Sequence, residues 1–381
     1  MAIDDNSFAA MLEMVRRFVA ERLQPLENEL ERTGTVPQAI VAEMRTIGLF
    51  GLTIPEEYGG FELNTRQASE IDMTFAQTSP AFSLVFAPNA GLGSRALVLA
   101  GTEEQKNPYL PRLASGELSS AFCLTEAEAG SDAASLRTRA VRDGDAYVIS
   151  GSKRFITNAP RADVFTVMAR TGSQESGAAG ISAFIIEKGT AGLRLGKPER
   201  KMGQHGSDIC DVIFDDVRVP VDQRIGPEGE GFKIAMRVLN RGRIHIAASA
   251  VGMMKRMIDE SSRYALTRKQ FGSPIADFQL VQAMLADSET EYHAGRALLF
   301  EAADAIDAGA DARQIAACAK YFCSEAAGRV ADRTVQIFGG AGYVADYPAE
   351  RFYRDARVLR IYEGTSQILQ LAIARTMLQR Y

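Results

Sequence analysis

Two changes of hydrophobic period divide this chain, and their order limits what it can fold into. From Phe8 the apolar residues fall at Leu12, Val15 and Val19, a helical stripe that runs until Pro25 interrupts it. Thr35 and Pro37 open a second helix with Ile40, Met44 and Ile47 on one face, and Gly48 stops it. Pro55 to Gly60 is a turn by composition, and Ala-rich helical segments with glycine breaks continue to about Gly116. After Phe122 the period becomes that of strands. Thr138 to Arg142, the turn pair Asp143-Gly144 and Tyr147-Val148-Ile149 read as a hairpin, followed by strands at Val164 to Ala169, Ile181 to Ile186 and Val212 to Val219. These lie too close in sequence for βαβ crossovers, so the sheet is expected to be antiparallel. After the glycine-rich run Gly226 to Gly231 the helical period returns. Phe232, Ala235, Met236 and Leu239 mark one helix, Val281, Met284 and Leu285 another, and Ile368, Leu371, Ala372 and Leu378 the last.

The expected fold is therefore an α+β multidomain chain: an N-terminal all-α domain over 1–120, a middle antiparallel β domain over 121–228 and a C-terminal four-helix bundle over 229–381. Its 381 residues are too many for one compact core, which agrees with this division. The order α, β, α excludes a doubly wound sheet. It also removes Gly339-Gly340-Ala341-Gly342 as a dinucleotide fingerprint, because no strand leads into it.

A net charge of −5 argues against a strong electrostatic grip on nucleic acid or an anionic membrane. No run of eighteen apolar residues occurs, and Asp4 and Asp5 stand where a secretion signal would be positive, so a cytoplasmic location is expected. Cys123, Cys210, Cys318 and Cys323 have no CxxC spacing, which predicts buried free thiols and neither metal site nor disulfide framework. His205, His245 and His293 lie far apart without a GxSxG or HExxH motif, and each reads as a satisfied structural histidine.

The most unusual seat for a charge is Glu363, set between Tyr362 and Gly364 just before Thr365 and Ser366. Locally it reads as a loop carboxylate facing water near the positive end of a following helix. Other polar, glycine-rich stretches change that reading. They are Ala121 to Glu126 leading to Ala129-Gly130-Ser131-Asp132; Phe155 to Asn158; Lys201-Met202-Gly203 with Ser207-Asp208; Arg268-Lys269-Gln270-Phe271-Gly272; Phe278 to Gln282; Gln336 to Gly340; and Ile361 to Ile368. In this order, across essentially the whole chain, they resemble the acyl-CoA dehydrogenase family of flavoproteins.

The resemblance implies FAD as cofactor and α,β-dehydrogenation of an acyl-CoA, with Glu363 as the base that removes the α proton. It assigns Phe122, Leu124, Thr125 and Ser131 to flavin and substrate contacts, and Phe155 with Thr157 to the flavin's other side. Arg268, Phe271 and Gln279, with Gln336, Gly339 and Gly340, would reach the adenine half of an FAD held by a neighbouring subunit, in a homotetramer. Thr365 and Gln367 would lie on the FAD side. Ser131, Asn240, Arg243 and Gly364 would contact the substrate. Asn240 replaces the family's usual Asp, Phe155 its usual Trp, Ala127-Glu128 the usual Pro-Gly, and His205 a frequent Arg. Some members carry the base at the position of Gly242, which has no proton acceptor, so Glu363 is the carboxylate the resemblance leaves. Electrons would pass to an electron-transfer flavoprotein, in fatty acid β-oxidation. Three alternatives stay open on the sequence: a dehydrogenase of carrier-protein-bound thioesters, a flavin oxidase, and a non-catalytic flavoprotein or interaction module.

Overall fold

Residues 3–381 are described by a computed structural model. Helix α1 (Asp5–Phe18) begins where the Asp4 carboxylate accepts from the backbone N–H of Asn6 and Ser7, both at 3.0 Å. A single π-helical turn, Val19–Leu23, carries it to Pro25. Then come α2 (Glu27–Thr33), α3 (Gln38–Thr46) and α4 (Thr65–Phe75), the last opened by an Asn64/Gln67 capping box. Short α5 (Pro80–Ser83) and α6 (Ala87–Ala90) lead to α7 (Leu92–Ala100) and α8 (Glu103–Ala114). Phe18, Phe75, Phe86 and Phe50 meet edge to face at this region's centre, with Phe75 and Phe86 centroids 4.8 Å apart.

The β layer contains β1 (Ser120–Cys123), β2 (Arg139–Asp143), β3 (Ala146–Thr157), β4 (Val164–Arg170), β5 (Ile181–Glu187), β6 (Leu193–Leu195), β7 (Ile209–Pro220) and β8 (Arg224–Ile225). Its order is β6-β7-β3-β2-β4-β5-β8, with β1 paired only to β4. Most pairings are antiparallel, but β1 runs parallel to β4 from Ser120/Val164 to Cys123/Val167, and β2 meets β4 in parallel at Arg139/Arg170. The β2–β3 hairpin supplies the reversal that a crossover helix normally provides, which local spacing does not reveal. Strand β4 is buried throughout. Val164 and Met168 pack with residues of α7 and α8, while Phe165, Val167 and Ala169 pack with β3 and β7, so apolar residues fill both faces.

The third region is built on α9 (Gly231–Thr267), followed by the small hairpin β9 (Lys269–Gln270) and β10 (Ser273–Pro274). Helices α10 (Gln279–Asp307), α11 (Arg313–Phe338), short α12 (Ala349–Ala356) and α13 (Ser366–Leu378) complete it. Ile234, Ala235 and Val238 of α9 pack with the β layer and α7–α8, whereas Ala247, Ala250, Val251 and Met254 belong to the helical core with Ala316, Ala319 and Ala327 of α11. One helix thus spans the layers. The apolar stripe expected on α13 does not face the core: α13 buries Ser366 and Leu369, while Leu371 and Leu378 are exposed. No described helix is long and apolar enough to cross a membrane.

A buried ion pair fixes the loop after β1. Lys153 Nζ lies 2.7 Å from Glu126 Oε1 and donates to Leu124 O at 3.1 Å, while Glu126 also accepts from Arg137 N, Thr138 N and Thr138 Oγ1. Lys153→Met strands the Glu126 charge inside the protein and is expected to cost about 3–5 kcal/mol. Adding Glu126→Gln should recover part of that loss. Thermal and denaturant unfolding of the two variants checks this, and a single variant as stable as the parent contradicts it.

Candidate functional site

Glu363 lies at the junction between the turn after α12 and α13. Its backbone is left-handed, with φ 54°, and Gly364 follows at φ 97°. A non-glycine residue held there costs on the order of 1–3 kcal/mol, so its surroundings must fix it. Thr365 caps α13 by accepting from Ile368 N at 3.3 Å, and Ser366 Oγ donates to Glu325 Oε1 at 2.5 Å. Lys320 Nζ, fully buried on α11, donates to Gly364 O at 2.6 Å.

The turn drives the carboxyl against α9 at Gly242. A Cβ on Gly242 would fall inside the Glu363 carboxylate, with Glu363 Cδ 2.8 Å away, so glycine leaves the room this carboxyl fills. Glu363 Oε2 is buried and has no hydrogen-bond partner among the described residues. Burial raises its pKa to about 7, opposed by the positive charges of His245, Lys320 and Arg243. Burial in turn pulls Lys320 down to about 8 against the attraction of Glu363.

Glu363 opens into a cavity of about 250 Å³. One wall comes from the β layer: Phe122, Leu124, Thr125, Phe155, Ile156 and Thr157. Strand β1 pairs only with β4, so its other edge is free of the ladder. A register shift in the β3–β7 pairing between Lys153 and Ile156 turns Phe155 outward at φ 58°, with the Arg154 guanidinium 4.7 Å from its ring centroid. The wall from α4, α7 and α9 carries charge: Asp72, Arg95, Arg241 and His245. His245 Nδ1 lies 2.8 Å from Asp72 Oδ2. Burial opposes its charge, but Asp72 outweighs burial and raises its pKa to about 9.

The residues anticipated from sequence separate into two groups. Phe122, Leu124, Thr125, Phe155, Thr157 and Glu363 converge on the cavity. Arg243 Nη1 donates to Asn240 Oδ1 at 2.9 Å, and the Glu363 charge attracts Arg243. Ser131 is exposed on the loop beyond β1 and does not line the cavity. The second group, Arg268, Phe271, Gln279, Gln336, Gly339 and Gly340, lies exposed around a small cluster of Ala265, Ile275 and Ile337 at the far end of α9. Thr365 is half-buried at the α13 cap and Gln367 is exposed.

His205 and His293 are satisfied as expected, beside Glu31 at 2.8 Å and Glu289 at 3.0 Å. His245 is also satisfied but faces the cavity, a placement its sequence neighbourhood does not signal. Arg95, Arg241, Asp72 and Lys320 carry no sequence signal for the same reason: each sits in an ordinary helical pattern, and only packing brings it to the site. Cys123, Cys210 and Cys323 are buried free thiols, while Cys318 is half-buried. Among the described residues no group of three or more His, Cys, Asp or Glu could hold a metal.

The β wall suits an aromatic heterocycle with a polar edge. It offers an exposed ring, two threonine hydroxyls and a free strand edge, across from a carboxyl whose oxygen has no partner. The β wall and the wall from α4, α7 and α9 thus enclose a cavity onto which a buried, unpartnered carboxyl oxygen opens. The sequence matches the N-terminal, middle and C-terminal domains of acyl-CoA dehydrogenase over residues 6–117, 121–217 and 229–378. It is 42% identical to an acyl-CoA dehydrogenase of Bacillus subtilis, covering 97% of each chain. It is 39% identical to the caffeyl-CoA reductase–Etf complex subunit CarC of Acetobacterium woodii, over 97% of this chain and 98% of that one. The structure of PigA with FAD and proline superposes over 100% of both chains at 29% identity, with a TM-score of 0.95. The chain belongs to the acyl-CoA dehydrogenase family, FAD-dependent oxidoreductases acting on CH–CH bonds.

A carboxyl whose pKa rises from the model-peptide range to about 7 on folding favours the native state while it is protonated, and that advantage is lost as pH rises towards 7. Glu363→Gln removes this dependence. The melting temperature of Glu363→Gln relative to the parent should therefore be higher at pH 8 than at pH 5. A difference that is the same at both values would show that Glu363 ionises normally.

Proposed function

We propose that this flavoprotein removes hydrogen across the Cα–Cβ bond of a saturated acyl-CoA to give the trans-2-enoyl-CoA, with Glu363 as the α-proton base. The single observation that carries the reading is the unpartnered, buried Oε2 of Glu363, which faces the same cavity as the β wall. A pKa of about 7 leaves the carboxyl partly ionised at neutral pH and desolvated, both favourable to a general base. As Glu363 takes the α proton, the electrons of that C–H bond form the new double bond and the β hydrogen departs with its pair. FAD, when bound, supplies the acceptor for that hydride. The backbone N–H of Glu363 and the edge of β1 are suited to polarising the thioester carbonyl and holding the flavin.

The same pKa supports reduction of an enoyl thioester, the direction in which the CarC relative is named, because a carboxyl near half-protonation can return the proton to Cα. Asn240, Arg243, Ser131 and Gly364 are assigned to the CoA thioester. An electron-transfer flavoprotein is the proposed redox partner, supported by that relative's membership of an Etf complex.

A shared cofactor site, in a homotetramer, is supported by distance and exposure. Arg268, the C-cap of α9, lies 26 residues beyond Gly242, about 39 Å at helical rise, well beyond the reach of one dinucleotide from the cavity. Phe271 is 96% exposed and Leu280 81%, apolar surface that a second copy would cover. In this reading Arg268, Phe271, Gln279, Gln336, Gly339 and Gly340 serve the partner's FAD, and Thr365 and Gln367 its own side of the junction.

Glu363→Gln should bind thioester yet lower flavin reduction by roughly 10²–10⁴-fold, measured by stopped-flow absorbance. Because the Gly242 position opens onto the Glu363 carboxyl, Glu363→Gly with Gly242→Glu should regain part of the rate. Near-normal reduction by Glu363→Gln would defeat the assignment of the base. Arg268→Ala should weaken FAD retention by roughly the 1.5–3 kcal/mol of a charge-assisted contact, read as flavin lost on gel filtration. A monomer with full FAD occupancy would refute the shared site.

A further inference from the structure

The charged wall of the cavity contains more positive than negative charge, and the carboxylates within range are already committed. Asp72 pairs with His245 at 2.8 Å. Asp307 accepts from the backbone N–H of Thr65 at 2.7 Å and of Arg66 at 3.0 Å, where it caps α4. Arg241 feels the negative charges of Asp307 and Asp72 but, among the described residues, donates only to Leu63 O, at 3.0 Å. Arg95 is half-buried, and the charges around it are the guanidiniums of Arg241 and Arg237; burial and these neighbours lower its pKa to about 10. Neither Arg95 nor Arg241 forms an ion pair with a described carboxylate, yet both line the cavity that Glu363 faces.

An acyl tail ending in a methyl group would desolvate these guanidiniums without replacing their water, a costly arrangement. A terminal carboxylate would instead meet two donor forks of matching planar geometry. The distance is short. Leu92 Cδ2 lies 3.0 Å from the Cβ position of Gly242, beneath the Glu363 carboxyl, and Arg95 follows three residues later, about 4.5 Å along α7.

We propose that Arg95 and Arg241 select acyl groups that end in a carboxylate, so that the substrate class of this site is the CoA monothioester of a short dicarboxylic acid. The proposal rests on the dehydrogenation reading centred on Glu363. His245, held by Asp72, adds positive charge to the same wall without competing for the anion.

The test compares kcat/KM of the FAD-loaded enzyme for glutaryl-CoA against pentanoyl-CoA, and for adipyl-CoA against hexanoyl-CoA, with an artificial electron acceptor. The wild type should favour the carboxyl-terminated member of a pair by at least about tenfold, and Arg95→Met or Arg241→Met should lower that ratio by roughly 10–100-fold, the scale of a lost charge-assisted contact. Pairs share their CoA, so loss of activity on all four thioesters with unchanged ratios would place the guanidiniums on the carrier and overturn the proposal. A wild-type preference for the pentanoyl and hexanoyl thioesters overturns it too, while leaving the dehydrogenase reading intact. Failure of all four to reduce the flavin would sink both.

Discussion

The desolvation of one carboxyl governs the architecture of the site. Glu363 would remain a surface acid on its own helix cap; it is kept from water because the turn that carries it is pressed onto α9 at a residue with no side chain. Its left-handed backbone stores on the order of 1–3 kcal/mol, a strain offset by the α13 cap, the Ser366–Glu325 bond and the lysine beneath Gly364. Three cations act on it from two other helices: Arg243 and His245 of α9, and Lys320 of α11. Without them burial would push the proton affinity higher still, out of the range useful near neutral pH. Proton chemistry therefore depends on how α9, α11 and the α12–α13 junction pack together.

Helix α9 makes that packing possible. At 37 residues it is about 55 Å long, enough to join the β layer, the site and the far end of the bundle. Small residues on α9 and α11 let the two helices pack closely, and Gly252 accepts the backbone of Met73 from α4. The neighbouring α4 brings Asp72 to His245, and α7 brings Arg95 to the same wall. Residues on α9 therefore face different surroundings along its length, from Asn240 and Arg243 to Arg241 and His245, with Arg268 just past its far end.

The β layer contributes rigidity of a different kind. Glu126 and Lys153 join the end of β1 to β3 and to the approach of β2, while the bulge that follows leaves Phe155 half exposed at the cavity. Neither device is a matter of strand propensity. Both depend on strands distant in sequence lying side by side, with polar groups satisfied inside the sheet.

The sequence by itself determined the succession of helical, β and helical regions, because periods of 3.6 and 2 are local properties of apolar spacing. It also singled out Glu363, since a Glu before glycine and two hydroxyl residues is an uncommon place for a charge. Tertiary structure decided the parallel pairing of β1 with β4, which requires strands more than forty residues apart to meet. It decided that Leu371 and Leu378 face outward on α13, because α13 meets the rest of the bundle through Ser366 and Leu369. Above all it decided the character of the cavity. Asp72, Arg95, Arg241 and His245 look like ordinary helix residues one at a time, and their charges become one electrostatic wall only when α4, α7 and α9 pack around the same cavity.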